Sequence, residues 1–139
     1  MSNELQRQKL IIDDFLAAYP DGMGMKQNNQ FLGGVADIKL ASIPTGTWEL
    51  EVKWWKQLPS REVELPLTPL QRQYGRRCIR AGINWGWIAI FKDGVHNFVL
   101  AGGSPETIKV DPSLGVLRPR GGGWQSYDPI KQLQRGRVS

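Results

Sequence analysis

The sequence predicts an α/β protein: one central mixed β-sheet flanked by helices, in the order helix, strand, strand, helix, strand, strand. Three observations carry this. Apolar residues recur at helical spacing near the start. A second helix opens on the signature Thr68-Pro69-Leu70-Gln71. Around it lie four segments whose alternation, or whose tryptophan and isoleucine content, suits strands.

The first helix is expected from about Asn3 to Ala18, with Leu5, Ile12, Leu16 and Tyr19 at helical spacing, and the turn Tyr19-Pro20-Asp21-Gly22 ends it. Gly22 to Gln30 is polar and glycine-containing and reads as a loop. Val35 to Leu40 reads as a strand whose Ala36, Ile38 and Leu40 face a core, with Val35, Asp37 and Lys39 opposite. Proline and glycine mark a connection near Ser42 to Gly46, so this strand and the next, Thr47 to Trp55, form a hairpin. In that second strand Trp48, Leu50, Val52 and Trp54 share one face and Glu49, Glu51 and Lys53 the other. Taken alone, it is a half-buried strand whose charges meet water.

After a loop containing Pro59 and Pro66, Thr68 is the N-cap of the second helix, Pro69 its first position, and Gln71 the residue three after the cap. The helix runs to about Ala81 and stops at Gly82. Trp85 to Phe91 suits a strand covered on both faces, and Lys92-Asp93-Gly94 turns it into Val95 to Leu100. A short strand follows at Thr107 to Val110. Residues 1–110 thus read as one domain and 111–139 as a basic extension. Within the extension, Arg118-Pro119-Arg120-Gly121-Gly122-Gly123-Trp124 has the composition of a flexible arm, anchored by Trp124 and Tyr127. The chain has no internal repeats.

A chain of 139 residues is about one domain long and buries roughly 68–70% of its unfolded surface. The single cysteine, Cys78, excludes an internal disulfide framework and a cysteine-rich zinc site. No run approaches the ~20 apolar residues of a membrane span, and the amino terminus is not signal-like. The expected setting is a reducing cytoplasm, or a host cytoplasm if the protein is viral. The formal charge of +5 is uneven: residues 118–139 hold Arg118, Arg120, Lys131, Arg135 and Arg137 against Asp128 alone. Such a tail favours polyanions through counterion release. Arg72, Arg76, Arg77 and Arg80 recur about one turn apart on the second helix with no acid among them, which makes either a solvated face or a phosphate-tracking one.

The hairpin brings Asp37 within a few ångströms of Glu49, Glu51 and Lys53, since adjacent strands sit about 4.8 Å apart. Phosphodiester hydrolysis needs a hard cation, and Mg²⁺ is usually held by one or two carboxylates plus water and substrate oxygens. Asp37 and Glu51 supply such a pair, with Glu49 as competitor for Glu51. Lys53, on the same face, is placed to orient a nucleophile and to stabilise the five-coordinate transition state.

At these residues the chain resembles the PD-(D/E)xK nuclease superfamily, with its restriction-endonuclease-like core, and is most similar to the small VRR-NUC type. The matching residues are Gly34-Val35-Ala36-Asp37, Glu51-Val52-Lys53 and Leu67-Thr68-Pro69-Leu70-Gln71, followed by Ala81-Gly82 and an apolar strand; Asn3-Glu4-Leu5-Gln6 is similar to the family's first helix. The likeness covers about residues 3–100. Ala36 stands where the family often has proline, at a position that varies. The resemblance implies metal-dependent cleavage of DNA, with Asp37, Glu51 and the Val52 carbonyl on Mg²⁺ or Mn²⁺, Lys53 as catalytic lysine and Gln71 as accessory polar group. It also implies an acid from the first helix, for which Glu4 competes with Asp13 and Asp14. Gln71 is equally a capping-box residue, and the two roles are compatible.

The nucleic-acid contacts expected are Arg72, Arg76, Arg77, Arg80, Arg118 and Arg120, with Trp55 and Trp124 as stacking surfaces. Trp48, Trp54, Trp85 and Trp87 read as core, and His96 as an ordinary strand residue. The expected function is a metal-dependent endonuclease on DNA, selective for branched or junction forms; junction cleavage would need two active sites and so a homodimer. The competing reading is a non-catalytic DNA-binding, regulatory or inhibitor module on the same fold.

Overall fold

The computed structural model describes residues 3–27, 33–121 and 123–135. Residues 28–30 of the expected first loop, Gly122 of the expected arm, and Arg137 lie outside the described residues. Helix α1 spans Asn3–Ala18, as its periodicity requires. Its buried stripe is Gln8, Ile11, Ile12 and Phe15, whereas Leu5 is half exposed. Burying a side chain such as Ile11 or Phe15 stabilises the fold by about 1.5–3 kcal/mol each. The chain then turns at Tyr19 to Gly22, where the Gly22 amide donates to the Tyr19 carbonyl (2.9 Å).

Strand β1, Met23–Lys26, occupies the segment expected to be loop and pairs with β2, Ile38–Ser42. The expected strand over Val35 to Leu40 therefore begins three residues later, and Asp37 stands at its mouth. β2 and β3, Gly46–Trp55, form the expected antiparallel hairpin. Two-residue β4, Val63–Glu64, leads to helix α2, Pro69–Arg80. Thr68 caps α2 through a complete capping box: its Oγ1 accepts from the Gln71 amide (3.1 Å) and Gln71 Oε1 accepts from the Thr68 amide (2.9 Å). Helix α2 is the crossover to β5, Asn84–Asp93, which runs parallel to β3 with Trp48 opposite Asn84 and Trp55 opposite Phe91. β6, His96–Gly102, returns antiparallel from a turn at Gly94.

β7, Lys109–Val110, pairs with β4 in a small second sheet. After a 3-10 turn at Pro112–Leu114 come β8, Val116–Arg118, helix α3, Trp124–Tyr127, and helix α4, Pro129–Arg135. The main sheet is mixed, in the order β1-β2-β3-β5-β6-β8.

Alternation along the strands splits the core in two. On one face Ile38, Leu40, Trp48, Leu50, Val52, Ile88, Ile90 and Val99 pack under α1, α3 and α4. On the other, Trp85, Trp87, Ala89 and Phe91 pack with Cys78 of α2 and with Leu65, Leu67 and Val110. Helix α2 comes so close that a Cβ on Gly75 would lie 2.8 Å from Trp85 Cε2. The tail is part of this body and not a flexible arm: β8 extends the sheet, and Trp124, Tyr127, Ile130 and Leu133 enter the first core. Its glycines and arginines mask an apolar periodicity that the helices bury. No described helix is long and apolar enough to cross a membrane.

Candidate active site

The two glutamates on the charged face of β3 do not meet water. Glu49 is 5% exposed and Glu51 0%, because α2 and the loop leading to it cover this side of the sheet. Two buried glutamates on one strand face are costly unless each is satisfied, and the two are treated differently.

The carboxylate of Glu49 is fully engaged. Tyr74 of α2 donates its hydroxyl to Oε1, Gln27 Nε2 donates to Oε2 (2.9 Å), and Lys39 Nζ stands 4.0 Å from Oε2. Burial and the bond to Glu49 hold the Tyr74 phenol above its ordinary range. Gln27 and Tyr74 carry no signal in the sequence for this role. Gln27 comes from the unforeseen β1 edge, and only the three-residue step from Gln71 puts Tyr74 on a neighbouring part of the helix surface.

Glu51 has no such partners. Both carboxyl oxygens are buried and take no hydrogen bond from an amide, hydroxyl or ammonium; the polar group beside them is the Asp37 carboxyl. Burial pushes its pKa up to about 9; the adjacent Asp37 carboxyl pushes in the same direction and the Lys53 ammonium pulls partly back. The β2–β3 register pairs Ile38 with Leu50, so one residue further Asp37 comes level with Glu51. Asp37 Oδ2 accepts from the Val52 amide (2.8 Å), a donor that lies beyond the end of the β2 ladder. The approach to Asp37 is set by Gly34, at φ +90°, where a Cβ would lie 2.3 Å from the Leu70 carbonyl oxygen. Only glycine lets that loop lie against the start of α2.

Lys53 Nζ donates to Gln71 Oε1 (3.2 Å). The same oxygen closes the capping box, so one atom caps α2 and anchors the lysine. Asp37, Glu51, Lys53 and Gln71 are thus brought together. Glu4 is exposed in the first turn of α1, one turn before Arg7, whose guanidinium lies 5.1 Å from the Trp54 ring centre. The helix carries Glu4 to the end of β3, without a hydrogen bond or ion pair to the other four. Its competitors are committed: Asp13 pairs with Lys9, and Asp14 forms a two-pronged pair with Arg118 (2.7 and 3.0 Å) and accepts from Tyr127.

The arginines separate into held and open. Arg72 Nη1 donates to the Pro105 and Thr107 carbonyls (2.7 and 2.9 Å), Arg76 pairs with Glu106, and Arg118 is bound to Asp14. Arg77, Arg80 and Arg120 are exposed. Trp124 is 1% exposed with its ring edge-on to Phe15, which removes it as a stacking surface; the glycines before it suggested an exposure that the core denies. Trp55 is half-buried against Phe91 (4.8 Å between ring centres). His96 is exposed at the β5–β6 turn, opposite Asp93.

Among the described residues no group of three or more His, Cys, Asp or Glu side chains is placed to hold a metal. Two carboxylates are nevertheless what a Mg²⁺ ion commonly takes from a protein, the rest of its shell being water and substrate. The orphaned oxygens of Glu51 beside Asp37 fit such an ion.

No family model matches the chain, and no curated protein matches it. A similar solved structure is that of Hjc, a Holliday junction resolvase from the archaeal hyperthermophile Archaeoglobus fulgidus. It is 16% identical, with 76% of this chain and 89% of that one covered and a TM-score of 0.48.

Proposed function

We propose that the chain is a Mg²⁺- or Mn²⁺-dependent endonuclease of the PD-(D/E)xK kind, close in motif layout to the VRR-NUC type, that hydrolyses DNA phosphodiester bonds in branched or junction forms. One observation carries this reading: a fully buried Glu51 carboxyl to which no amide, hydroxyl or ammonium donates, level with the Asp37 carboxyl and followed two residues later by a lysine anchored on a helix cap. Two buried acids side by side are costly once both ionise, and a divalent cation would satisfy both.

Asp37, Glu51 and the Val52 carbonyl would hold the ion, which would neutralise phosphate charge and acidify a water molecule. Lys53 has three N–H donors. Gln71 takes one, and the others are left for a phosphate oxygen, where they would stabilise the charge that builds on the way to the transition state. Burial of Glu51 gives the site a low dielectric in which such contacts are stronger than in water. Glu4 would approach the site from α1 once substrate is bound. Arg77, Arg80 and Arg120 are the open cations for backbone phosphates, with Arg72, Arg76 and Arg118 shaping the surface behind them.

The test is incubation of the purified protein with labelled single-stranded, duplex, flap and four-way DNA, with Mg²⁺, Mn²⁺ or chelator. Cutting that needs the divalent ion and disappears in Lys53→Ala is expected. Undiminished cutting by Lys53→Ala would overturn the assignment, and tight DNA binding without cutting under either metal would favour the non-catalytic module.

A further inference from the structure

Beyond the carboxyl end of β3 lies a groove of about 910 Å³, bounded by the first turns of α1 and by the β5–β6 turn. Arg7, Trp54, Trp55, Lys56 and Lys92 line it, and no acidic residue does. Two of its donors are buried without an acceptor among the described residues: Arg7 Nε and Trp54 Nε1, from the stacked pair on one wall. Burial and the nearby Arg118 lower the pKa of Arg7. Trp55 offers a half-exposed ring backed by Phe91. With roughly 3.3 Å of rise per strand residue, Trp55 stands about 7 Å along the chain from Lys53.

We propose that this groove binds one unpaired nucleotide of a DNA strand beside the scissile bond, the base against Trp55 and the phosphate among Arg7, Lys56 and Lys92. Its place beside the scissile bond rests on the nuclease reading above; the binding itself does not. Buried donors lacking acceptors call for an anion, and the aromatic ring beside them calls for a flat apolar group; a nucleotide has both. The occupant is unpaired because a base inside a duplex has its faces covered by its neighbours, whereas a splayed base can stack on a side chain. Such a groove would favour flaps, gaps and junction arms over continuous duplex.

The experiment is done in chelator, so that nothing is cut. Binding of a labelled single strand is followed by fluorescence anisotropy over a salt series, against blunt duplex, an abasic strand of equal length, a deoxynucleoside monophosphate and inorganic phosphate. The single strand should bind more tightly than the duplex or the small anions. Lys56→Gln with Lys92→Gln, both on exposed or half-exposed side chains, should weaken it and flatten the salt slope by up to about 0.7, the increment for the one phosphate that they help to neutralise on a single strand. Trp55→Leu should cost about tenfold on the strand with bases and little on the abasic strand. An unchanged slope in the lysine variant, an equal loss on the abasic strand, or equal competition by the free nucleotide would each overturn the proposal. Metal-dependent cutting is then assayed separately. If the wild type cuts while the lysine variant binds like the wild type, the groove is refuted and the nuclease stands. If the lysine variant loses binding but no metal supports cutting, the groove stands and the nuclease reading falls.

Discussion

Replacing Glu51 by glutamine keeps the size of the side chain and removes its ionisation, which makes it the sharpest probe of the site. In the folded protein without metal, burial and the neighbouring Asp37 push the Glu51 carboxyl up to about 9, against an ordinary value of about 4.5. Below pH 4.5 both folded and unfolded chains hold the proton. Between the two values the unfolded chain has released it and the folded chain has not, so stability falls as pH rises, by about 1.4 kcal/mol per unit for one proton. From pH 5.5 to 8 this amounts to about 3 kcal/mol, which in a domain of this size is on the order of 10 °C in Tm. Glu51→Gln should abolish that slope. Denaturant unfolding in chelator at half-unit pH steps measures it directly, with the variant as baseline so that titrations elsewhere cancel. Adding Mg²⁺ should then restore the wild type at alkaline pH, by about 2.7 kcal/mol at a concentration one hundred times its dissociation constant, and should do little for the variant. A wild type whose stability tracks that of Glu51→Gln across this range, or that gains nothing from Mg²⁺, would refute the idea that an orphaned carboxyl awaits a cation.

Lys53→Ala, tested with the DNA panel and metal, should lower the cutting rate by about 10²–10³-fold while binding in chelator changes little. Gln71→Ala should cost about 1 kcal/mol of unfolding free energy through the lost half of the capping box, and should also slow cutting, because Lys53 loses its anchor. Trp124→Ala should destabilise the protein by about 3–5 kcal/mol in chemical denaturation, since the ring fills the core under α1; a loss below 1 kcal/mol would mean that the tail is not packed as described. Asp14→Ala should lower Tm while leaving metal-dependent cutting per folded molecule unchanged, which separates it from Glu4 as the acid of α1.

What the sequence disclosed was local. The hairpin of β2 and β3 follows from two-residue alternation and a turn between, and it alone places Asp37 near Glu51. The start of α2 follows from four consecutive residues, and even the double use of Gln71 was open to reading there. The features that escaped depend on distant partners. Met23 to Lys26 has no pattern of its own and becomes a strand because β2 offers it an edge. Arg118 looks like a polyanion contact until Asp14, 104 residues away, claims it. The tail reads as an arm because glycine and arginine dominate its composition, while the pair Ile130 and Leu133, three residues apart on α4, is too brief to outweigh them. The burial of the charged face of β3 was likewise hidden, since alternation tells which residues share a face but not what covers it.

That burial separates Glu49 from Glu51 more sharply than motif spacing does. Both come from one strand, point the same way and are nearly inaccessible, so position alone does not distinguish them. Their surroundings do. A phenol, an amide and an ammonium converge on Glu49, and its carboxyl oxygens are satisfied with no need of anything further. Glu51 meets another acid and a lysine that donates elsewhere, to Gln71. Selection for stability alone would place an apolar side chain at position 51, as it does at 50 and 52, because a well-packed hydrophobe is usually at least as stable as a buried charge. On the proposed reading, a ligand that arrives positively charged would offset that cost.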